Sequence, residues 1–128
     1  TLEKCIVHDC TTAAVYVFGK ADIKDCTIQD CLEAGGGGDG AAGIQVEPTG
    51  EATLTGEATL TGTVHRAMIG LFGVGQASIG KGCSIKACMG SGVYAWQDGE
   101  GPGEVTVAEN AGLVCEGNNT SSTSGNAD

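Results

Sequence analysis

Apolar residues recur at alternate positions in short runs along most of the chain. One set of runs reads Ala21 and Ile23, Ala52 and Leu54, Ala77 and Ile79, Val105 and Val107. Period two is the mark of extended chain with one buried face. A second set follows a few residues later at Cys5 and Val7, Cys26 and Ile28, Ala58 and Leu60, Cys83 and Ile85, Ala111 and Leu113. A third set, Val15 and Val17, Ile44 and Val46, Ile69 and Leu71, Val93 and Ala95, closes the cycle before it restarts. The second runs begin at 5, 26, 58, 83 and 111, so the period is irregular and the loops absorb the difference. Three strands per cycle predict an all-β chain wound as a right-handed parallel β-helix, each turn giving one strand to each of three parallel sheets stacked roughly 4.8 Å apart. The pattern allows about four and a half turns over residues 1–117, followed by a polar tail, 118–128, expected to be disordered.

Cysteine occupies set places in this cycle. In "CIVHDC", "CTIQDC" and "CSIKAC" two cysteines stand five positions apart. Five extended residues span roughly 16 Å, whereas a disulfide holds its Cα atoms within about 7 Å, so the two members of a segment are poorly placed to bond. Zinc needs four ligands at close spacing, and the histidines, His8 and His65, fall in different turns at places the run pattern makes non-equivalent. Cysteine then reads as a small buried hydrophobe in two ladders, Cys5, Cys26, Ala58, Cys83, Ala111 and Cys10, Cys31, Thr63, Cys88. Alanine shares the first ladder, and alanine can replace a packing cysteine but not a ligand. Cys115 stands outside both ladders and is a candidate redox-active thiol.

Composition narrows the partners. Six basic against sixteen acidic residues give a net charge of -10, which repels phosphate backbones and argues against nucleic acid. No apolar run approaches the roughly 18 residues of a membrane span, and no secretory leader pattern opens the sequence. Thr1 in place of an initiator methionine implies a processed chain or part of a longer one. Seven cysteines cannot all pair within one chain, which favours a reducing compartment over a secreted disulfide framework. Aromatics make up only 4% of the chain, so the core must be built from small residues.

The stretches "GVYA", "GIQV" and "AVYV", with "ADIKDCTIQDC" as the template A-x-I-x-x-C-x-I-x-x-C, resemble the repeats of pectate-lyase-like right-handed β-helix proteins. The likeness is to the carbohydrate-binding and sugar-hydrolase type repeat that also occurs in F-box adaptors, and it extends over residues 1 to about 117. It implies the fold and leaves the activity open, because polysaccharide lyases, hydrolases and noncatalytic scaffolds share that architecture. In the lyases and hydrolases, the resemblance implies acidic calcium ligands beside a base, or a cluster of aspartates.

If Val15 and Val17 point inward, Tyr16 and Phe18 point out, and the same parity exposes Gln45, Glu47, Phe72, Tyr94 and Trp96 on the third sheet. All five aromatics share this face, a candidate platform for a protein partner or for sugar rings. On the second sheet the outward residues read His8, Gln29, Thr61, Lys86, with Asp9 and Asp30 stacked about 5 Å apart, close enough to share a calcium ion. The acidic ladder stops there, which favours solvated carboxylates over a catalytic or calcium site at Asp9 and Asp30. "TLTGEATLTGT" lacks the repetition on successive turns that an ice-binding face needs, and "GKGCSI" lacks the phosphate-loop pattern. The reading that follows is a noncatalytic structural or adaptor module without a cofactor. It binds a protein partner in a larger assembly, with an uncapped solenoid end covered by that partner or by further chain. The alternative is a carbohydrate-binding or lyase/hydrolase-type module.

Overall fold

The computed structural model describes residues 1–31, 42–56, 62–65, 69–86, 88, 91–97, 99–109 and 111–117. These residues form no helix and fourteen short strands. In chain order they are β1 (Leu2–Glu3), β2 (Ile6–His8), β3 (Val15–Val17), β4 (Lys20–Lys24), β5 (Thr27–Gln29), β6 (Ala42–Val46) and β7 (Glu51–Thr55). The second half carries β8 (Gly62–His65), β9 (Ile69–Gly73), β10 (Gln76–Ile79), β11 (Cys83–Lys86), β12 (Val93–Ala95), β13 (Glu104–Val107) and β14 (Val114–Glu116). They make three sheets, ordered β1-β4-β7-β10-β13, β14-β11-β8-β5-β2 and β12-β9-β6-β3. Every pairing is parallel. Successive strands therefore visit the first, second and third sheets in rotation, and each of β4 to β11 hydrogen-bonds to the strands three before and three after it.

Register turns the alternating residues into columns. In the first sheet Ile23, Leu54, Ile79 and Val107 align, as do Ala21, Ala52, Ala77 and Val105. In the second, Val7, Ile28, Val64, Ile85 and Cys115 align. In the third, Val15, Ile44, Leu71 and Val93 align beside Val17, Val46, Gly73 and Ala95. The buried members of these columns form one continuous core with Cys26, Cys31, Cys83 and Cys88. β-branched side chains pack well on a pleated surface, and each fully buried Ile or Val contributes about 1.5–3 kcal/mol of transfer free energy.

The corners have their own chemistry. Lys4, Asp25, Gly82 and Gly112 have positive φ (52°, 51°, 78°, 65°) and immediately precede Cys5, Cys26, Cys83 and Leu113. Asp9, Asp30 and Gly117 (56°, 57°, 64°) immediately follow β2, β5 and β14. At these corners the chain enters or leaves the second sheet through left-handed residues, where Asp and Gly are tolerated best. Cys5, Cys10, Cys26, Cys31 and Cys83 sit just past such bends, and these five and Cys88 each donate the thiol to the carbonyl two residues back, from 3.2 Å (Cys26 to Lys24) to 3.9 Å (Cys83 to Lys81). All seven cysteines are free thiols. The third corner is a glycine column: Gly19, Gly50, Gly75 and Gly103 stand before Lys20, Glu51, Gln76 and Glu104, whose alignment is continuous through the sheet.

Several expected positions are corrected. The third strand of the second sheet is Gly62–His65, with Val64 between Ile28 and Ile85. Ala58 and Leu60, expected there, lie outside the described residues. "EATLTG" occurs twice in succession; the first copy supplies β7, as expected, and hydrogen bonding places β8 at "GTVH", past the alternating part of the second copy. Thr63 accordingly sits opposite Thr27 and Ser84, not at the Cys31 corner. Leu71, not Ile69, aligns with Ile44. The last strand begins at Val114, which places Cys115 opposite Ile85 and inside a core column, contrary to its expected place outside the ladders. The polar tail, 118–128, lies outside the described residues.

Candidate binding surface

The outward residues of the third sheet form two columns. Tyr16, Gln45, Phe72 and Tyr94 align by strand register. Phe18, Glu47, Val74 and Trp96 follow one residue beyond the inner Val17, Val46, Gly73, Ala95 column. There the Glu47, Val74 and Trp96 amides each donate, at 2.9 Å, to Val17, Val46 and Gly73. Because β3 and β12 are the two margins of this sheet, the aromatics gather at both margins.

At the β3 margin Tyr16 and Phe18 stack at 6.4 Å with their rings 20° apart, and Phe18 is 66% exposed. The Thr49 hydroxyl donates to the Phe18 carbonyl at 2.8 Å and ties this end of the strand to the next turn. At the β12 margin Phe72 stacks on Tyr94 at 5.5 Å and meets Trp96 at 6.0 Å with a 48° tilt. Phe72 is only 8% exposed and belongs to a small outer cluster with Ala13, Ala42 and Val74, against which Tyr94 packs. It supports the surface from beneath and does not present a contact face. Trp96, 49% exposed, is the open ring of this margin. Between the margins the Gln45 amide donates to the Glu47 carboxylate at 2.7 Å, so these two polar groups are engaged with each other.

The second sheet arranges its polar residues differently from expectation. Register places His65 in the column His8, Gln29, His65, Lys86, the place expected for Thr61. The two histidines therefore occupy equivalent positions two rungs apart, a correction that follows from the later register of β8. Nothing in the alternation alone could reveal it. The His8 Nδ1 bonds the Asp9 carboxylate at 2.5 Å, and both side chains are largely exposed. Asp9 and Asp30 stand at successive left-handed bends, which gives both a backbone role that needs no ion. Among the described residues no group of three or more His, Cys, Asp or Glu side chains is arranged to hold a metal.

Burial raises the thiols of Cys31 and Cys83 from 9.0 to about 11 each. For Cys83 the neighbouring Asp25 charge adds to burial; for Cys31 the Cys10 thiol and Asp30 do, partly offset by a backbone hydrogen bond from Cys10. Neutral, desolvated thiols of this kind pack, and they are slow nucleophiles at neutral pH. Among the described residues no helix is long and apolar enough to cross a membrane. Comparison of the chain with protein-family models, curated proteins and solved structures returns no match.

Proposed function

We propose that the three sheets are the walls of one right-handed parallel β-helix, and that this helix is a noncatalytic module binding a protein partner through the outer face of the third sheet. Rotation of successive strands through three parallel sheets supports the winding, and parallel strand crossovers within a sheet are right-handed in about 98% of cases. The likeness of "ADIKDCTIQDC" to pectate-lyase-like repeats fits the same architecture.

The observation that carries the functional reading is the exposure of Phe18 and Trp96 on one face whose intervening polar pair is already satisfied. A sugar ring needs an aromatic plane together with free hydrogen-bonding groups around it. Phe18 has no polar handle, and Gln45 and Glu47 bond each other. Exposed aromatics with an apolar body suit the anchors of a protein interface. The enzymatic alternative needs converging acids, and the paired acids of the second sheet, Asp9 and Asp30, serve the corners.

Trp96 is the chain's one tryptophan, so its fluorescence reports this face directly. Acrylamide quenching of the isolated protein and of native material purified with its assembly should show Trp96 open in the first and shielded in the second. Equal quenching in both, with protection only on adding oligosaccharide, would replace the protein-binding reading with carbohydrate recognition.

A further inference from the structure

Of the seven cysteines, four form two pairs at equivalent positions of adjacent turns, Cys5 with Cys26 and Cys10 with Cys31. The remaining three have no cysteine opposite: Cys83 aligns with Gly62, Cys115 with Ile85, and Cys88 follows Lys86, which aligns with His65. In the Cys10 and Cys31 pair the thiol of Cys10 lies near enough to act on that of Cys31. Their strands are in register at His8 and Gln29, and the Asp9 amide donates to the Gln29 carbonyl at 3.2 Å. Asp9 and Asp30 then make the same left-handed bend (56° and 57°), so Cys10 and Cys31 emerge alike. Their thiols face equivalent carbonyls, Cys10 to His8 at 3.7 Å and Cys31 to Gln29 at 3.5 Å. The side chain and backbone of Cys10 are both among the groups that act on the Cys31 thiol.

Neighbouring parallel strands lie about 4.8 Å apart, inside the roughly 4.4–6.8 Å window of Cα separations that a disulfide accepts. The two Cβ atoms must draw slightly closer than the strand spacing, and a bend just past the last ladder hydrogen bond is where the chain can give. Exposure differs between the partners: Cys10 is half-buried and Cys31 fully buried.

We propose that Cys10 and Cys31 are an oxidant-operated clasp, closing into a disulfide that staples the edge strand β2 to β5. The oxidant is a peroxide. The Cys10 sulfur attacks one peroxide oxygen, breaking the O–O bond and giving a sulfenic acid and water. The Cys31 sulfur then displaces the hydroxyl of that sulfenic acid as a second water, so that two thiols and one hydrogen peroxide become one disulfide and two waters. The clasp acts on β2 because, among the described residues, this strand pairs with β5 alone, whereas β5 pairs with β2 and β8. Burial of Cys31 makes the closing step slow at neutral pH and faster as pH rises toward the thiol's raised value of about 11.

The test uses the full chain carrying Cys5→Ala and Cys26→Ala, which leaves Cys10 and Cys31 as the one vertically adjacent pair. The reduced protein is exposed to hydrogen peroxide and read by intact mass, by the count of thiols open to alkylation after unfolding, and by thermal melting. The expected result is a monomer lighter by two hydrogens, with two fewer alkylatable thiols. Its melting temperature should rise by roughly 10 °C, as closure of a loop of this length gives, and dithiothreitol should reverse the rise. Adding Cys10→Ser to that chain abolishes all three changes. Cys10→Ser in the otherwise unchanged sequence keeps the test usable if the double alanine chain folds poorly: it should lose the one disulfide that involves Cys10. Overturning results are oxygen addition without loss of hydrogens, a disulfide between two chains, or an intramolecular disulfide that survives Cys10→Ser in the chain that also carries Cys5→Ala and Cys26→Ala.

Discussion

Gly75→Ala tests the glycine column most directly, because its neighbours are backbone and cannot rotate away. A Cβ at Gly75 would lie 2.3 Å from the Glu47 carbonyl oxygen and 2.4 Å from that of Gly50. Both contacts fall well inside the van der Waals limit, so the turn carrying Gly75 must lift from the turn below. That movement strains the bonds from Gly75 N to Val46 O (3.2 Å) and from Gln76 N to Gly50 O (3.0 Å). Overpacking of this kind costs about 1–3 kcal/mol, and each lost hydrogen bond adds about 1 kcal/mol, so the expected loss is about 2–4 kcal/mol. For a domain of this size the melting temperature should fall by roughly 10–15 °C. Gly19, in the same column, is the internal control: a Cβ there meets nothing within 4 Å, and its φ is not positive. Gly19→Ala should be neutral or stabilise by up to about 1 kcal/mol through the unfolded chain. Urea titrations followed by circular dichroism and by Trp96 fluorescence give both values and check that the transitions coincide. If Gly75→Ala falls within about 0.5 kcal/mol of the parent chain, the close vertical packing of this corner is wrong.

Other consequences can be measured on the same chain. Ile85 is fully buried between Val64 and Cys115, and Ile85→Ala should cost about 2–5 kcal/mol by urea titration; a loss under about 1 kcal/mol would deny it a core position. Lys4 holds a left-handed conformation without the local hydrogen-bonding options of Asp, so Lys4→Gly should leave stability unchanged or raise it by up to about 1 kcal/mol, whereas a clear loss would contradict the corner assignment. The raised thiols of Cys31 and Cys83 fix a direction with pH. The folded state holds their protons longer than the unfolded state, so their contribution is fully present below pH 9.0 and is lost as pH climbs toward about 11. That loss is on the order of 1–3 kcal/mol per thiol. Stability measured from pH 8 to 11 should decline, and Cys83→Ala should flatten the decline; an unchanged slope would remove Cys83 as a cause.

The strands were legible because alternation survives in segments as short as three residues when each is repeated in the next turn. Val15, Ile44 and Val93, or Ile23, Leu54 and Ile79, announce their columns by residue type alone. The cysteines were legible as packing residues for the same reason. The place of β8 was not, since the second "GEATL", at 56–60, repeats the alternation of β7, while the strand itself is the less regular "GTVH". His65 joined the His8 column only once that register was fixed. The corners left a signal that periodicity does not capture. Asp9, Asp25 and Asp30 each precede a cysteine, and "GKADI", "GEATL", "GQASI" and "GEVTV" each place glycine one residue before a strand of the first sheet. The candidate surface was half visible: parity put Phe72 outside, but burial of an outward ring by Ala13, Ala42, Val74 and Tyr94 depends on segments that meet only in the folded chain.

Rotation through three sheets also decides how the molecule answers to force. Among the described residues a strand pairs with those three before and three after it in the chain, or with one of them at a sheet's end, so tension applied at one end reaches the next three strands through a single row of hydrogen bonds per sheet. Those bonds lie across the strands, and pulling on the terminus opens them one after another like a zipper, not all at once in shear. A turn of about 25 residues, once detached, lengthens the chain by up to about 90 Å before the next turn feels the pull. The expected trace in a stretching experiment is a staircase of small, similar steps, each one turn long, with the glycine and cysteine corners setting where each step begins.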